Sequence, residues 1–245
     1  MTEIRNIFEY YYQHFEIVRA DTEAFLDQVY RLRYQVYCLE HSFEDPCDHL
    51  DGRETDEHDA VSAQILLLHR ESGTAVGTAR IIMPKLGSVW RPPIWHVLAP
   101  KFREEFEHLP SHRTAEVSRF AISKEFRQWW RDQCGTAIRA ISPRAASCEQ
   151  QLLEYITFGL LKEILTLLIE QEIDYLAAVM NSSLIRIFVN LGLEFEPIGE
   201  PVEYHGTRQP CIALLTNLIE QSRNHGTPLW QFVGVREAVP PLLAG

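Results

Sequence analysis

The chain has little basic charge and no long uncharged hydrophobic run. Its 245 residues contain 23 Lys and Arg against 34 Asp and Glu, giving a formal net charge of −11. Because nonspecific nucleic-acid binding needs a basic face, this balance argues against a nucleic-acid partner. The most apolar stretch, residues 152–169, includes Glu154, Lys162 and Glu163, which are too many charges for a membrane span. The N-terminal residues lack the basic start and apolar core of a signal peptide, so we expect neither a leader nor a transmembrane segment.

Cysteine pairs and several common catalytic motifs are also missing. The five cysteines form no CxxC pair and match neither a disulfide framework nor a zinc site. We therefore expect a cytoplasmic location and no bound metal. The sequence has no GxGxxG, P-loop, GxSxG or HExxH motif, which argues against dinucleotide-binding, P-loop, serine-hydrolase and zinc-protease functions.

What is present is the composition of an ordinary globular protein, with 46% hydrophobic and 23% charged residues. Periodicity predicts strands over 14–19, 63–69, 75–83, 113–122, 174–180, 194–198 and 210–216. It predicts helices over 4–12, 22–37, 147–171 and 181–192. Residues 43–59 are predicted as a long acidic loop, and 126–144 as a basic, irregular insertion around a helix start. Without a repeat or linker, we predict a single domain over 1–245, with a helical and coil tail from about 217.

Scattered charged residues carry most of the chemical information. Arg33 and Tyr37 lie one helical turn apart and so share a helix face. The acidic loop supplies three carboxylates, at Glu54, Asp56 and Asp59. Arg80 lies inside an otherwise apolar strand. Because buried arginines need carboxylate partners, we predict one ion-pair network made of Arg33, Asp56, Asp59 and Arg80.

A second charged group lies on the strand predicted over 113–122. Its segment EVSRF, residues 116–120, is expected to alternate between the two faces of a sheet. Glu116, Ser118 and Phe120 are therefore predicted on one face and Arg119 on the other.

These residues together resemble the acyl-homoserine-lactone (autoinducer) synthases, a branch of the GNAT-like acyltransferases. The family pattern is an Arg, an aromatic residue four later, a Trp, a Glu-x-Asp-x-aromatic-Asp loop, a Gly-x-x-Arg strand and a Glu-x-Ser-Arg-Phe strand. The matching residues are Arg33, Tyr37, Phe43, Glu54, Asp56, Asp59, Gly77, Arg80, Glu116, Ser118, Arg119 and Phe120. Tyr37 replaces a Phe, Phe43 replaces the Trp, and His58 replaces the aromatic residue of the loop.

A closer resemblance is to the acyltransferases associated with the PEP-CTERM/exosortase system. The shared segments are LRYQVYCLE at 32–40, EVSRFAIS at 116–123 with Phe126 and Arg127 after it, and YHGTRQP at 204–210. The resemblance runs from about residue 15 to residue 216.

The resemblance implies a GNAT-like acyl-CoA N-acyltransferase fold of the α/β (α+β) class. In this fold a mixed, mostly antiparallel sheet splays between its fourth and fifth strands and admits a pantetheine thioester. Glu116 would act as general base through a water molecule and face the pocket at the splay, with Ser118 and Arg119 ordering that pocket and a backbone N–H holding the oxyanion. The residues implied on the substrate side are Arg33, Tyr37, Phe43, Asp56, Asp59, Arg80 and Phe120. No permanently bound cofactor is implied, and acyl-phosphopantetheine is a co-substrate.

The resemblance also bears on the acyl donor. Residues 127–137 stand where GNAT proteins carry a Gly-rich pyrophosphate loop, yet they contain a single glycine, Gly135. This favours acyl carrier protein over CoA as donor. Residues 119–149 hold six basic and three acidic side chains in an acidic protein. We expect four surface arginines at the donor entrance to steer an acidic carrier protein, namely Arg127, Arg131, Arg139 and Arg144.

Three functions remain open at this point. The leading one is an N-acyltransferase that moves a fatty acyl chain from acyl carrier protein, or from CoA, to a small amine such as an amino acid. The second is an acyl-homoserine-lactone synthase with S-adenosylmethionine as acceptor. The third is a non-catalytic module that binds an acyl chain or its carrier protein.

Overall fold

The computed structural model describes residues 12–85, 90–138, 145–203 and 206–225. The strands are β1 (Phe15–Arg19), β2 (Ser62–His69), β3 (Ala75–Ile82), β4 (Thr114–Ile122), β5 (Tyr175–Met180), β6 (Glu196–Pro197), β7 (Val202–Glu203) and β8 (Thr207–Leu214). The helices are α1 (Glu23–Arg33), α2 (Ile94–Val97), α3 (Pro100–Glu107), α4 (Lys124–Ile138), α5 (Ala145–Glu170), α6 (Ser182–Asn190) and α7 (Leu215–His225). A π-helix (Tyr34–Glu40) follows α1 without a break. In the described part of the chain, no helix combines the length and apolar character needed to cross a membrane.

The strands pair in the order β1-β2-β3-β4-β5-β8-β6, and β7 pairs with β8 beside that path. The pairing of β4 with β5 is parallel, and the other pairs are antiparallel. The expected mixed, mostly antiparallel sheet is therefore confirmed.

β4 and β5 separate partway along their length. They pair from Thr114 opposite Tyr175 to Val117 opposite Ala178. Beyond these residues, β4 continues to Ile122 and β5 to Met180, but the two strands no longer pair with each other. The sheet consequently opens beyond Val117.

Apolar layers cover both faces of the sheet. On one face, β2 and β3 pack against α5 and against Phe126 and Trp130 of α4. On the other face, Val29 and Leu32 of α1 cover β2. Helices α2 and α3 cover β5 and β8 on this same face. The second face is therefore covered in two patches, and polar side chains of β3 and β4 lie between them.

A β-bulge interrupts β4. Thr78 pairs with Ala121 and Arg80 with Ser118, so two residues of β4 stand opposite one residue of β3. The first of the two, Arg119, has a φ of 50°, in the left-handed region that residues other than glycine rarely adopt. The strand alternation is reset at this residue.

The bulge changes which side chains share a face. Phe120 packs with the apolar cluster under α5, on the face opposite Ser118. The predicted common face is therefore wrong for Phe120, and it is Arg119 that accompanies Glu116 and Ser118. The reason is the extra residue, which shifts the period-two pattern by one position.

In the described part of the segment predicted as an irregular insertion around a helix start, the chain is helical throughout and forms α4. Phe126 and Trp130 are four residues apart and pack their rings on Phe15 of β1, which gives the helix a buried face. The basic side chains masked this apolar spacing in the sequence. Most of the helix predicted over 4–12, together with Arg139 and Arg144, lies outside the described residues.

Candidate active site

Three arginines and three carboxylates form a closed ring of ion pairs on the second face of the sheet. In order around the ring, the members are Arg33, Glu54, Arg119, Asp56, Arg80 and Asp59. The N–O distances between successive members are 2.5, 2.9, 3.2, 2.5 and 2.9 Å, and Asp59 closes the ring on Arg33 at 2.6 Å. Each arginine thus bridges two carboxylates.

The ring balances its charges, as a buried set of ions requires. The side chains of Arg33, Glu54 and Arg80 are 0%, 1% and 2% exposed. Burial opposes ionisation of Glu54, but hydrogen bonds from Arg33 and Arg119 outweigh it and lower its pKa to about 2. For Asp59, burial is likewise outweighed by the hydrogen bonds from Arg33, and its pKa falls to about 2. Both carboxylates are therefore ionised at neutral pH.

Local structure holds the ring members in place. Arg33 is the last residue of α1, whose N-terminus is capped by the Thr22 hydroxyl. The backbone N–H of Glu54 donates to the Tyr30 carbonyl at 3.0 Å and ties the acidic loop to the same helix. Within the loop, the N–H of Asp56 donates to Asp59 Oδ2 at 2.8 Å, so both carboxylates are fixed on one turn.

The structure brings together the four residues that the sequence assigned to one network, Arg33, Asp56, Asp59 and Arg80. It adds Glu54 and Arg119, which link the loop to β4. Glu54 was part of the family pattern but was not among the predicted site residues, although its place at the head of the acidic motif was a usable signal. Gln64 was also missed; its amide donates to Asp59 at 2.8 Å, and its signal was a polar residue within an apolar strand.

Ser118 and Glu116 lie beside the ring on β4. The Ser118 hydroxyl accepts from Arg80 Nε at 3.0 Å. Glu116 is 5% exposed, and its Oε2 accepts from the backbone N–H of Ile94 at 2.6 Å. Burial raises the pKa of Glu116 to about 7, against the lowering effects of the Ile94 N–H and of Arg80 and Arg119. A carboxyl group with this pKa can take up and release a proton near neutral pH.

A narrow cavity of about 70 Å³ occupies the gap between β4 and β5. Its lining residues are Tyr37, Val117, Ser118, Arg119, Phe120, Leu161, Ile164, Leu176, Ala178, Val179, Met180, Leu184, Phe188, Phe195 and Arg208. They come from both faces of the sheet, so the cavity passes through the opening. Its α5 side is apolar, and its other side carries two guanidinium groups. Glu116 was expected to face this pocket but is not among its lining residues, because it pairs with Ala177 in the part of β4 that precedes the opening.

Tyr37 lines the charged side of the cavity, and Phe43 packs beside it. Their ring centroids are 6.1 Å apart. The Arg119 guanidinium lies 5.2 Å from the centroid of Tyr37, and that of Arg208 lies 5.1 Å from Phe43. Burial raises the pKa of Tyr37, so its hydroxyl stays protonated at neutral pH.

Of the predicted donor residues, Arg127 and Arg131 lie on the first turns of α4, directly after β4. A shallow groove there is lined by Lys124, Glu125, Arg127, Gln128 and Arg131. Arg131 is exposed and Arg127 is half-buried. Within the described ranges, no group of His, Cys, Asp and Glu side chains is placed to hold a metal ion.

Comparisons with known proteins bear on the fold. Residues 32–130 match the family model of the acetyltransferase (GNAT) domain. The AHL synthase LasI has a similar structure, with a TM-score of 0.55 and 16% identity over 82% of this chain and 89% of that one. BjaI, a CoA-dependent acyl-homoserine lactone synthase, has a TM-score of 0.53 and 19% identity over 88% of this chain and 90% of that one. FeeM, an N-acyl amino acid synthase from uncultured soil microbes, has a TM-score of 0.50 and 18% identity over 89% of this chain and 99% of that one. No curated protein sequence matches the chain.

These findings confirm the expected GNAT fold, with its mixed, mostly antiparallel sheet and flanking helices. The matched acetyltransferase domain is consistent with an enzyme that transfers an acyl group to an amine.

Proposed function

We propose that this chain, whose residues 32–130 match the GNAT acetyltransferase domain, is an N-acyltransferase. It moves a fatty acyl group from a phosphopantetheine thioester to the amine of a small acceptor such as an amino acid. Acyl carrier protein is the favoured donor.

The observation that carries this proposal is the cavity through the sheet. Its apolar side, with Phe120, Leu161 and Ile164, suits an acyl chain. Its opposite side, with Tyr37, Arg119 and Arg208, suits a polar acceptor. Ligand pockets usually measure roughly 300–1,000 Å³, so the side chains around this narrow cavity must move apart when an acyl chain binds.

Glu116 is the proposed general base. The acceptor amine must be neutral to attack the thioester carbonyl, and a carboxylate with a pKa of about 7 can accept its proton through a water molecule. Attack forms a tetrahedral oxyanion. When the C–S bond breaks, the amide is complete and the leaving thiolate takes up the proton. No covalent enzyme intermediate is required.

The backbone at the bulge is the proposed oxyanion site. Pairing with β5 ends at Val117, so the peptide groups from Ser118 to Phe120 border the cavity without a β5 partner. A backbone N–H released from the sheet in this way can donate to the developing charge. Ser118 and Arg119 hold this segment to the ring through Arg80 and Glu54.

The basic groove on α4 supports a carrier protein as donor. Lys124, Arg127 and Arg131 stand on one groove of a protein whose net charge is −11. Such a local basic surface steers an acidic partner toward the site.

A second candidate is an acyl-homoserine-lactone synthase that uses S-adenosylmethionine. The structural similarity to LasI and BjaI favours it, as do the charged positions that this chain shares with the autoinducer-synthase pattern. Phe43 in place of the Trp and His58 in place of the loop aromatic are departures from that pattern.

Three finer assignments belong to the proposal. The segments at 32–40, 116–123 and 204–210 support membership of the PEP-CTERM/exosortase-associated acyltransferases. The cysteine usage supports a cytoplasmic location. The uninterrupted sequence without a linker supports a single domain over 1–245.

Product mass spectrometry tests the proposal. The protein is incubated with acyl carrier proteins bearing chains of several lengths, and with amino acids and S-adenosylmethionine as competing acceptors. An N-acyl amino acid is the expected product. An acyl-homoserine lactone instead establishes the second candidate, and binding without release of thiol establishes a non-catalytic module.

A further inference from the structure

The N-terminus of α4 is occupied by a carboxylate of this chain. Glu40, the last residue of the π-helix, accepts from the backbone N–H of Lys124 at 2.9 and 3.1 Å through its two oxygens. It also accepts from the N–H of Glu125 at 3.2 Å and from the Ser123 hydroxyl at 3.3 Å. The Gln35 amide donates to the same carboxylate at 2.9 Å and fixes it from the other side.

The other first-turn N–H groups of α4 are also satisfied. The N–H of Phe126 donates to the Ser123 hydroxyl at 3.0 Å, and that of Ser123, the residue before the helix, donates to the Val76 carbonyl at 2.9 Å. These four N–H groups are the ones that a helix leaves for an external anion. In this chain they are already paired with Glu40, Ser123 and Val76.

The pairing of Glu40 with the N-terminus of α4 bears on the choice of acyl donor, because this helix begins near the cavity. α4 follows β4 after one residue, and β4 borders the cavity proposed to hold the thioester. Coenzyme A carries a diphosphate and a further phosphate beyond its pantetheine arm, whereas a carrier protein presents pantetheine through one phosphodiester. A carboxylate fixed at the helix N-terminus takes the place of a phosphate there and repels a second anion.

We infer that Glu40 is a specificity residue that disfavours nucleotide donors by occupying the anion-binding N-terminus of α4. The inference rests on the proposed function for the identity of the donor, but the binding property it assigns to Glu40 is independent of turnover. Lys124, Arg127 and Arg131 then remain available on the outer groove for an acidic protein surface.

Calorimetric titration with coenzyme A tests the inference on the full chain. Glu40→Ala clears the helix N-terminus, and Glu40→Gln keeps a capping oxygen while it removes the charge. We expect coenzyme A to bind Glu40→Ala about tenfold more tightly than the unaltered protein, with Glu40→Gln in between. Inorganic pyrophosphate should follow the same order, because the effect lies in the phosphates.

Thr22→Ala is the matched control, because it removes an N-cap from α1 and leaves α4 intact. It should leave the affinity for coenzyme A unchanged. Equal affinity of all four proteins for coenzyme A, with circular dichroism reporting an intact fold, overturns the inference.

Donor kinetics separate this inference from the proposed function. If the unaltered protein turns over both donors, the KM for acyl-CoA should fall about tenfold in Glu40→Ala, while the KM for acyl carrier protein should change less than about threefold. If the unaltered protein turns over neither donor, the proposed function fails, and the titration still decides the role of Glu40.

Discussion

Arg119 on β4 donates to Glu54 in the acidic loop, with Nη2 and Oε1 2.9 Å apart, across 65 residues of sequence. The contact depends on the bulge, because an unbulged strand would turn the side chain of residue 119 to the other face. The ring of ion pairs therefore ties the strand at the cavity to the loop and, through Arg33, to α1. Stability and the shape of the site are coupled through the same six side chains.

Arg80→Ala should destabilise the protein strongly. Arg80 is 2% exposed and bridges Asp56 and Asp59, so its removal leaves three carboxylates sharing only Arg33 and Arg119 in the ring. We expect the free energy of unfolding, measured in urea, to fall by roughly 3–5 kcal/mol, and turnover to be lost. Arg31→Ala is the control, since its pair with Asp27 is 59% and 36% exposed and should cost at most about 1 kcal/mol. Similar losses for both variants would contradict the buried ring.

Acid should weaken the fold through Glu54 and Asp59. Their folded-state pKa values are depressed to about 2, so their contribution is complete above the ordinary pKa values of 4.5 and 3.8 and is lost as the pH falls toward about 2. Urea unfolding between about pH 6 and pH 2.5 measures this loss. Asp59→Asn should lower stability at about pH 6 and flatten its decline in acid. A decline equally steep in that variant would remove Asp59 from the explanation.

Glu116→Gln should lower turnover by about 10²-fold or more, the scale of a lost general base. The amide oxygen can still accept from the Ile94 N–H, so the fold should persist. The limb of the pH–rate profile near pH 7 should disappear, because it reports ionisation of this carboxyl. Glu107→Gln, an exposed position, is the control. Turnover close to that of the unaltered protein would exclude Glu116 as the base.

Glu116 should also make the free energy of unfolding depend on pH, in the direction opposite to that of Glu54 and Asp59. The folded-state pKa of Glu116 is raised from 4.5 to about 7, so the unfolded chain releases this proton first as the pH rises. Its contribution to the free energy of unfolding therefore decreases between about pH 4.5 and pH 7. The free energy of unfolding of Glu116→Gln minus that of the unaltered protein should therefore be larger at about pH 8 than at about pH 4.5. A difference that is independent of pH would contradict the raised pKa.

Reversing two charges on α4 should impair a carrier-protein donor. Arg127→Glu with Arg131→Glu should raise the KM for acyl carrier protein about tenfold and weaken its salt dependence, because attraction between the two surfaces is lost. Small acyl-pantetheine substrates should be almost unaffected. Lys85→Glu with Lys101→Glu, two exposed cations outside the groove, is the matched control. Equal impairment of both substrates, or acyl-CoA as the far better donor, would contradict the carrier-protein proposal.

The sequence predicted the features that depend on local patterns. Short apolar segments located β2, β3 and β5, and helical spacing located α6, because these signals act over a few residues. Charge complementarity grouped Arg33 and Arg80 with the acidic loop. The bulge at Arg119 was not predictable, since arginine carries no preference for a positive φ. The contact of Glu40 with Lys124 spans 84 residues and arises from tertiary packing alone.

The central claim is that an amine attacks a thioester at the cavity through the sheet. Its most direct test measures free thiol and amide product in the same reaction with acyl carrier protein and an amino acid mixture. We predict that one molecule of thiol is released for each molecule of N-acylated amine detected by mass spectrometry, and that Glu116→Gln slows both together by about 10²-fold. Thiol release without an acylated amine, or no thiol release in the presence of bound acyl carrier protein, would contradict it.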